Sequence, residues 1–227
     1  MKIVIFGATG IVGKAVVNEA LSKGYDVSVL TRDAKKVSIK HRCLHVYEGN
    51  VMDRNTVHNI LNGKDAVIQT LGIGGKGNGK PTNFVSMANN VIMEEMEKTC
   101  IKRLVVISVI GAGDSRKFLP LIYRNFILPV FTKWFKVIID DKNRMEESVK
   151  KSRLEWTIVR CTTVNHRPAT GKVKATLNGK GLKFNITATD LAEFMINQLT
   201  DKKFLRQTPT ISNKSTFNAI IYTFAIF

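Results

Sequence analysis

The chain has 227 residues, 44 % of them apolar, and carries 35 Lys and Arg against 18 Asp and Glu, a net charge of +17. That length suits one α/β domain with a sizeable core, and no apolar run reaches the roughly 18 residues of a membrane span. Cys43, Cys100 and Cys161 are odd in number and form no C-x-x-C pair, which argues against a disulfide framework or a metal site and for a reducing, cytoplasmic setting.

The first element is Lys2-Ile-Val-Ile-Phe6, a short β-branched apolar run of the kind that makes a buried parallel strand. Its apolar run is cut by glycines, unlike the core of a signal peptide. Gly7-Ala-Thr-Gly10-Ile-Val-Gly13 follows, with glycines in G-x-x-G-x-x-G spacing, and then a helix from Lys14 to Lys23 stopped at Gly24. The helix turns Val12, Ala15, Val16, Ala20 and Leu21 inward. One glycine serves the tight turn, one lets a phosphate approach the backbone, and one lets helix and strand pack closely. The helix N-terminus offers unpaired N–H groups to a pyrophosphate, so strand, turn and helix together read as a dinucleotide site.

Asp26–Thr31 is a second strand. Where NAD-preferring proteins place an acidic residue at its end, this chain has Thr31 and Arg32, with Lys35 and Lys36 close behind and Asp33 one step late. A guanidinium clamps a 2′-phosphate through paired N–H groups and a lysine adds charge, which favours NADP(H) over NAD. Cys43–Tyr47 is a third strand. Asp53 caps a helix over Arg54–Leu61, closed by Gly63, and Asp65–Thr70 is a fourth strand. The glycine-rich stretch from Leu71 to Gly79 lacks the Lys-Ser/Thr of a P-loop and reads as a loop beside the cofactor.

A long helix runs from Thr82 to about Cys100, with Val85, Ala88, Val91, Ile92 and Met96 inward, and Arg103–Ser108 is a fifth strand. Alternation of this kind gives a Rossmann-like doubly wound parallel sheet. Ligands lie beyond the strand C-terminal ends, which gathers Gly7–Gly13, Arg32, Asn50, Leu71-Gly72 and Ser108 around one crevice. Residues 109–139 break the rhythm with a run rich in aromatic and aliphatic side chains and two prolines over 118–139. It reads as a wall over an apolar anionic substrate, as a packing or self-association segment, or as a membrane-surface patch.

Asp140–Ser152 is a polar helix that leans on Met145 and Val149, and Glu155–Arg160 is a sixth strand. The loop from Cys161 to Gly171 leaves its C-terminal end. Short strands fall near Lys172–Leu177 and Leu182–Ile186, and Thr187 and Asp190 have capping-box spacing before a helix over Leu191–Leu199. The tail 217–227 is unusually apolar and reads as a strand, an oligomer contact or an aggregation-prone end. All 227 residues are expected in one domain, with 109–139 and 161–187 as a small substrate-side extension.

Taken in order, several of these pieces match one group. Phe6-Gly-Ala-Thr-Gly10, Val29–Asp33, Asp65–Ile68 with Leu71-Gly72, Pro81-Thr82, Asp140-Asp141 with Arg144-Met145, Thr170-Gly171, Leu177–Gly181 and Asp190-Leu191 give a chain that resembles the atypical short-chain dehydrogenase/reductases of the NmrA-like group, most nearly the biliverdin-IXβ reductase/flavin reductase proteins. The resemblance covers nearly everything to about residue 200. It implies NADP(H) held by Gly7, Thr9, Gly10, Ile11, Val12 and Gly13, with Arg32 and Lys36 at the 2′-phosphate. Asn50 and Val51 would border the adenine, and Leu71 and Gly72 would pass the diphosphate and ribose. Ser108 would sit beside the nicotinamide under a loop of Cys161, Thr162 and Thr163.

Two departures follow. The family's loop histidine aligns with Thr163, so its proton-donor role does not carry over, and His166 three residues on is the substitute candidate. No Tyr-x-x-x-Lys pair is present, for Tyr123 is followed by Ile127 in the lysine position. Both a reductase of a small planar anionic acceptor (flavin, tetrapyrrole or quinone) and a non-catalytic NADP(H)-binding redox sensor fit that pattern. The positive charge favours anionic partners. Because it is spread from Lys35 to Lys214, no specific nucleic-acid partner is expected; no membrane span is expected, and the chain is read as a monomer or weak homo-oligomer.

Overall fold

A computed structural model describes residues 1–73, 80–119 and 133–214, without the side chains of 133–135. Its centre is an eight-stranded sheet in the order β3-β2-β1-β4-β5-β6-β10-β8. In chain order these are β1 (Lys2–Phe6), β2 (Asp26–Thr31), β3 (Leu44–Glu48), β4 (Ala66–Gln69), β5 (Arg103–Val109), β6 (Glu155–Cys161), β8 (Val173–Thr176) and β10 (Thr210–Asn213). Every neighbouring pair is parallel except β10 with β8. A small parallel pair, β7 (Thr163–Asn165) with β9 (Asn185–Thr187), stands apart from the sheet.

The inner strands are apolar on both faces because both faces are covered. On one side Ile3, Ile5, Val27 and Val105 pack with Val16, Val17 and Ala20 of α1 (Ile11–Ser22) and with Leu191 and Met195 of α5 (Ala188–Asn197). On the other, Val4, Phe6, Val67 and Leu104 meet Val57 of α2 (Arg54–Leu61), Ile92 and Met96 of α3 (Phe84–Lys98), and Met145 and Val149 of α4 (Lys133–Lys151). Strand order reverses between β1 and β4, which opens a crevice at the C-terminal ends of those strands.

The expected doubly wound parallel sheet is therefore present, with local corrections. Helix α1 begins at Ile11, directly after Gly10, and not at Lys14. Helix α4 begins at Lys133, two turns before Asp140, and carries Asp141, Lys142 and Glu146 fully buried among its apolar contacts. Part of the loop after β6 is strand β7, because Phe184 accepts a hydrogen bond from the Thr163 N–H (3.1 Å). Strand β10 was not anticipated; it is buried throughout and closes the sheet beyond β6. The glycine stretch 74–79, most of the apolar run 118–139 and the tail 217–227 lie outside the described residues.

Candidate dinucleotide site

The turn between β1 and α1 needs its glycines for three separate reasons. Gly7 has φ +88°, and a Cβ there would sit 2.7 Å from the Thr70 carbonyl carbon. Thr70 is fixed in that place by its own N–H and hydroxyl, which donate to the Phe6 carbonyl at 2.8 and 2.9 Å. A Cβ at Gly13 would overlap the Gly7 carbonyl oxygen, so this glycine is what lets α1 close on β1. Gly10 is different: its Cβ position meets nothing nearer than the Gly7 oxygen at 3.5 Å. Its N–H donates to that oxygen (3.1 Å), and it forms the N-cap of α1 with no side chain to satisfy the first turn. No acidic residue stands in that turn either. The positive end of a twelve-residue helix thus faces a place where only a glycine leaves the backbone open, which fits a pyrophosphate.

A cleft of about 440 Å³ lies over this turn. Gly7, Thr9, Gly10, Ile11 and Val12 form its floor, Arg32 and Lys36 stand at one side with Val51, and Leu71 and Gly72 at another. Arg32 is exposed and has no ion-pair partner among the described residues, while Lys36 is paired with Asp33 at 3.7 Å. Asp33 itself caps the short 3-10 turn Ala34–Lys36 by accepting the Lys35 N–H. Its carboxylate is committed locally. Asn50 is not among the residues lining the cleft: its side chain accepts the Met52 N–H (3.0 Å) and shapes the turn that presents Val51. Gly13 likewise packs beneath the turn and does not line the cleft.

The other expected residues lie on β5 and after it. Ser108 is completely buried, and its hydroxyl donates to Glu146 of α4 at 2.7 Å. Both oxygens of that carboxylate also accept from Arg160 of β6, at 2.9 and 2.6 Å, and Arg160 reaches on to Asp114 at 2.7 Å. Burial works against the Glu146 charge, but the Arg160 bonds and the Ser108 hydroxyl hold its carboxyl below the usual range. Cys161 is buried, its thiol donating to the Ser108 carbonyl (3.3 Å), and desolvation pushes that thiol up to about 11. Thr162 is buried and donates to the Ile211 carbonyl, whereas Thr163 is exposed on β7. His166 is exposed in a second cavity beside α1 and is not brought to Ser108.

One residue at this end was missed from sequence. The Lys142 side chain crosses from α4 to the ends of two strands, its ammonium donating to the carbonyls of Leu71 (3.0 Å) and Ile107 (2.9 Å). No carboxylate lies within ion-pair distance of it among the described residues. Burial pushes its pKa down to about 8, against opposing pulls from Cys161, Asp141 and Glu146. A signal was available: Lys142, Met145, Glu146 and Val149 fall at i, i+3, i+4 and i+7, so two charged residues share the face that the apolar pair marks as inward. Its neighbour Asp141 accepts the Val85 and Ser86 N–H groups and caps α3 from another helix. Ile138, not tyrosine, stands one turn before Lys142.

With this geometry in place, comparisons with known proteins give a consistent picture. A family model described as NAD(P)H-binding matches residues 7–202. The photosystem II assembly factor Ycf39 of Guillardia theta is 26 % identical over 95 % of this chain, which spans 66 % of that protein's length. Among solved structures, ChuY of Escherichia coli O157:H7, an anaerobilin reductase, superposes with a TM-score of 0.77 at 21 % identity, covering 96 % of this chain and 100 % of that one. A short-chain dehydrogenase/reductase of Veillonella parvula in complex with NADP gives 0.78 at 15 % identity, with 95 % of each chain covered. The chain belongs to the NAD(P)H-binding family.

Proposed function

We propose that the protein is an NADP(H)-dependent reductase that passes hydride to a planar, anionic acceptor of the flavin, tetrapyrrole or quinone type. The observation that carries the reading is the uncommitted Arg32 guanidinium on the same cleft as the open N-terminus of α1. A dinucleotide laid over Gly10 brings its adenosine ribose to the end of β2, where a 2′-phosphate meets Arg32 and an NAD ribose finds no free carboxylate. The likeness to an anaerobilin reductase supports a tetrapyrrole-type acceptor.

When bound, the reduced nicotinamide supplies the hydride, and the protein's contribution is orientation. Lys142 acts as a positioning residue: by holding the Leu71 and Ile107 carbonyls together it fixes the two strand ends that flank the nicotinamide half of the crevice. Ser108 is a positioning residue as well, since its one proton goes to Glu146. Protonation of the acceptor then falls to solvent, which suits a flavin nitrogen or a conjugated tetrapyrrole better than a simple ketone.

A second reading is a redox sensor that binds NADP(H) without turnover. It is favoured by the burial of Ser108, Cys161 and Thr162 and by the commitment of each polar group to a structural bond. NADPH oxidation by the purified protein with FMN, biliverdin and a quinone, and NADH as control, separates the two. Saturable acceptor-dependent turnover establishes the reductase; tight NADPH binding with no turnover establishes the sensor.

A further inference from the structure

The second cavity, about 530 Å³, lies on the outer face of α1, and Thr9 and Ile11 at the start of that helix line both it and the candidate dinucleotide cleft. Three basic side chains meet on it: Lys14 from α1, and His166 and Arg167 from the loop after β7. Neither Lys14 nor Arg167 has an ion-pair partner among the described residues. The one acid on the wall, Glu19, is engaged by Lys23 at 3.6 Å.

The loop that carries His166 and Arg167 is tied down at both ends. On one side β7 pairs with β9, and the Asn165 side chain accepts the Arg167 N–H at 3.0 Å. On the other, the buried Asp190 carboxylate takes the N–H groups of Thr170 and Gly171 and the Thr170 hydroxyl, at 2.8 to 3.1 Å, and Asn213 of β10 supports it at 2.5 Å. Burial opposes the Asp190 charge, yet these donors hold its carboxyl below the usual range. A buried carboxylate with this many donors fixes the backbone of the loop that presents the His166 imidazole and the Arg167 guanidinium beside Lys14.

We propose that this cavity is an anion subsite, and that its ligand is the phosphate or carboxylate arm of the acceptor. The inference rests on the reductase reading for its substrate, but its anion chemistry stands on Lys14, His166 and Arg167 alone. A guanidinium and an ammonium converging on one concave surface recognise an acidic group through charge-assisted hydrogen bonds, and a neutral acceptor gains nothing from them.

The test is an equilibrium fluorescence titration of FMN and of riboflavin, which differ by one phosphate, against the protein saturated with NADP+. Wild type is expected to bind FMN at least tenfold more tightly than riboflavin, with the gap narrowing at high salt. The double variant Lys14→Ala/Arg167→Ala is expected to bind the two flavins within twofold of each other, with an unchanged Tm because both side chains are exposed. Equal binding of the two flavins by wild type, or a preference that survives in the double variant, overturns the proposal. An FMN preference that obeys these expectations in a protein that never oxidises NADPH leaves the subsite standing and removes the reductase.

Discussion

Ser108 and Glu146 meet at 2.7 Å, hydroxyl to carboxylate, both completely buried between β5 and α4. The serine that sequence places beside the nicotinamide is therefore one corner of a buried ion-pair network that also holds Arg160 and Asp114. Ser108→Ala is expected to lower turnover less than tenfold, because the hydroxyl has no second proton to give. Glu146→Ala leaves a fully buried guanidinium with only an exposed aspartate, and is expected to cost about 3–5 kcal/mol of stability. Turnover of the serine variant and urea denaturation of the glutamate variant check the two statements, and a serine variant with hundredfold slower turnover would return Ser108 to the chemistry.

The glycines of the first turn separate folding from binding. Gly13→Ala drives a methyl group into the Gly7 carbonyl, and Gly7→Ala strains a positive φ against Thr70. Both are expected to give protein that is poorly folded or absent from the soluble fraction. Gly10→Ala meets only an ordinary contact at 3.5 Å, so Tm is expected within a few degrees of wild type. Its methyl stands where the proposed site receives the pyrophosphate, and NADPH affinity is expected to fall at least thirtyfold. A Gly10→Ala protein that binds NADPH normally would move the phosphates elsewhere.

In the proposed reading, Arg32 carries the choice between the two nicotinamide cofactors. Removing a charge-assisted contact to the 2′-phosphate costs about 1.5–3 kcal/mol, a loss of roughly ten- to more than hundredfold. Arg32→Ala is expected to raise the Kd for NADPH by that factor and to leave NADH within threefold. Titration of both cofactors by fluorescence decides it, and equal effects on the two would show that Arg32 serves the shared part of the molecule.

Lys142 gives a pH dependence whose sign is fixed. Its ammonium is harder to keep charged in the fold than in the unfolded chain, with a pKa near 8 against an ordinary value of 10.5. Below about pH 8 both states hold the proton and the fold bears the full burden of burying the charge. Above it the native state releases the proton first, so stability from this group rises with pH. Relative to Lys142→Met, wild type is expected to gain about 1 kcal/mol between pH 7 and pH 9, and the Cys161 thiol, present in both proteins, drops out of the difference. Parallel denaturation series at the two pH values measure it, and a constant difference would show that the ammonium is not desolvated as the structure places it.

Much of this protein is legible from the chain alone, and the reason is that its first seventy residues encode by short-range rules. A β-branched run, three spaced glycines and an amphipathic segment suffice to specify β1, the phosphate turn and α1, because each requirement is met by neighbours in sequence. Asp53 capping α2 and Thr187 capping α5 are local in the same sense. The positions of Arg32, Val51, Leu71 and Gly72 on one cleft follow from the topology of a parallel sheet.

What only the tertiary structure decided are the contacts that join distant segments. Lys142 reaches Leu71 across 71 residues, Ser108 reaches Glu146 across 38, and Asp190 gathers Thr170 and Asn213. A charged residue on a helix reads as solvated until its neighbours bury it: on α4, Lys142 and Glu146 are buried against the ends of β4, β5 and β6, and Asp141 against the start of α3. His166 shows the converse. By spacing it stood in for a missing proton donor, and the pinned loop places it instead with Lys14 and Arg167 on the far side of α1. Helix periodicity and turn chemistry act over a few residues, whereas the burial of a charge depends on every element packed around it, and that sum exists only in the folded chain.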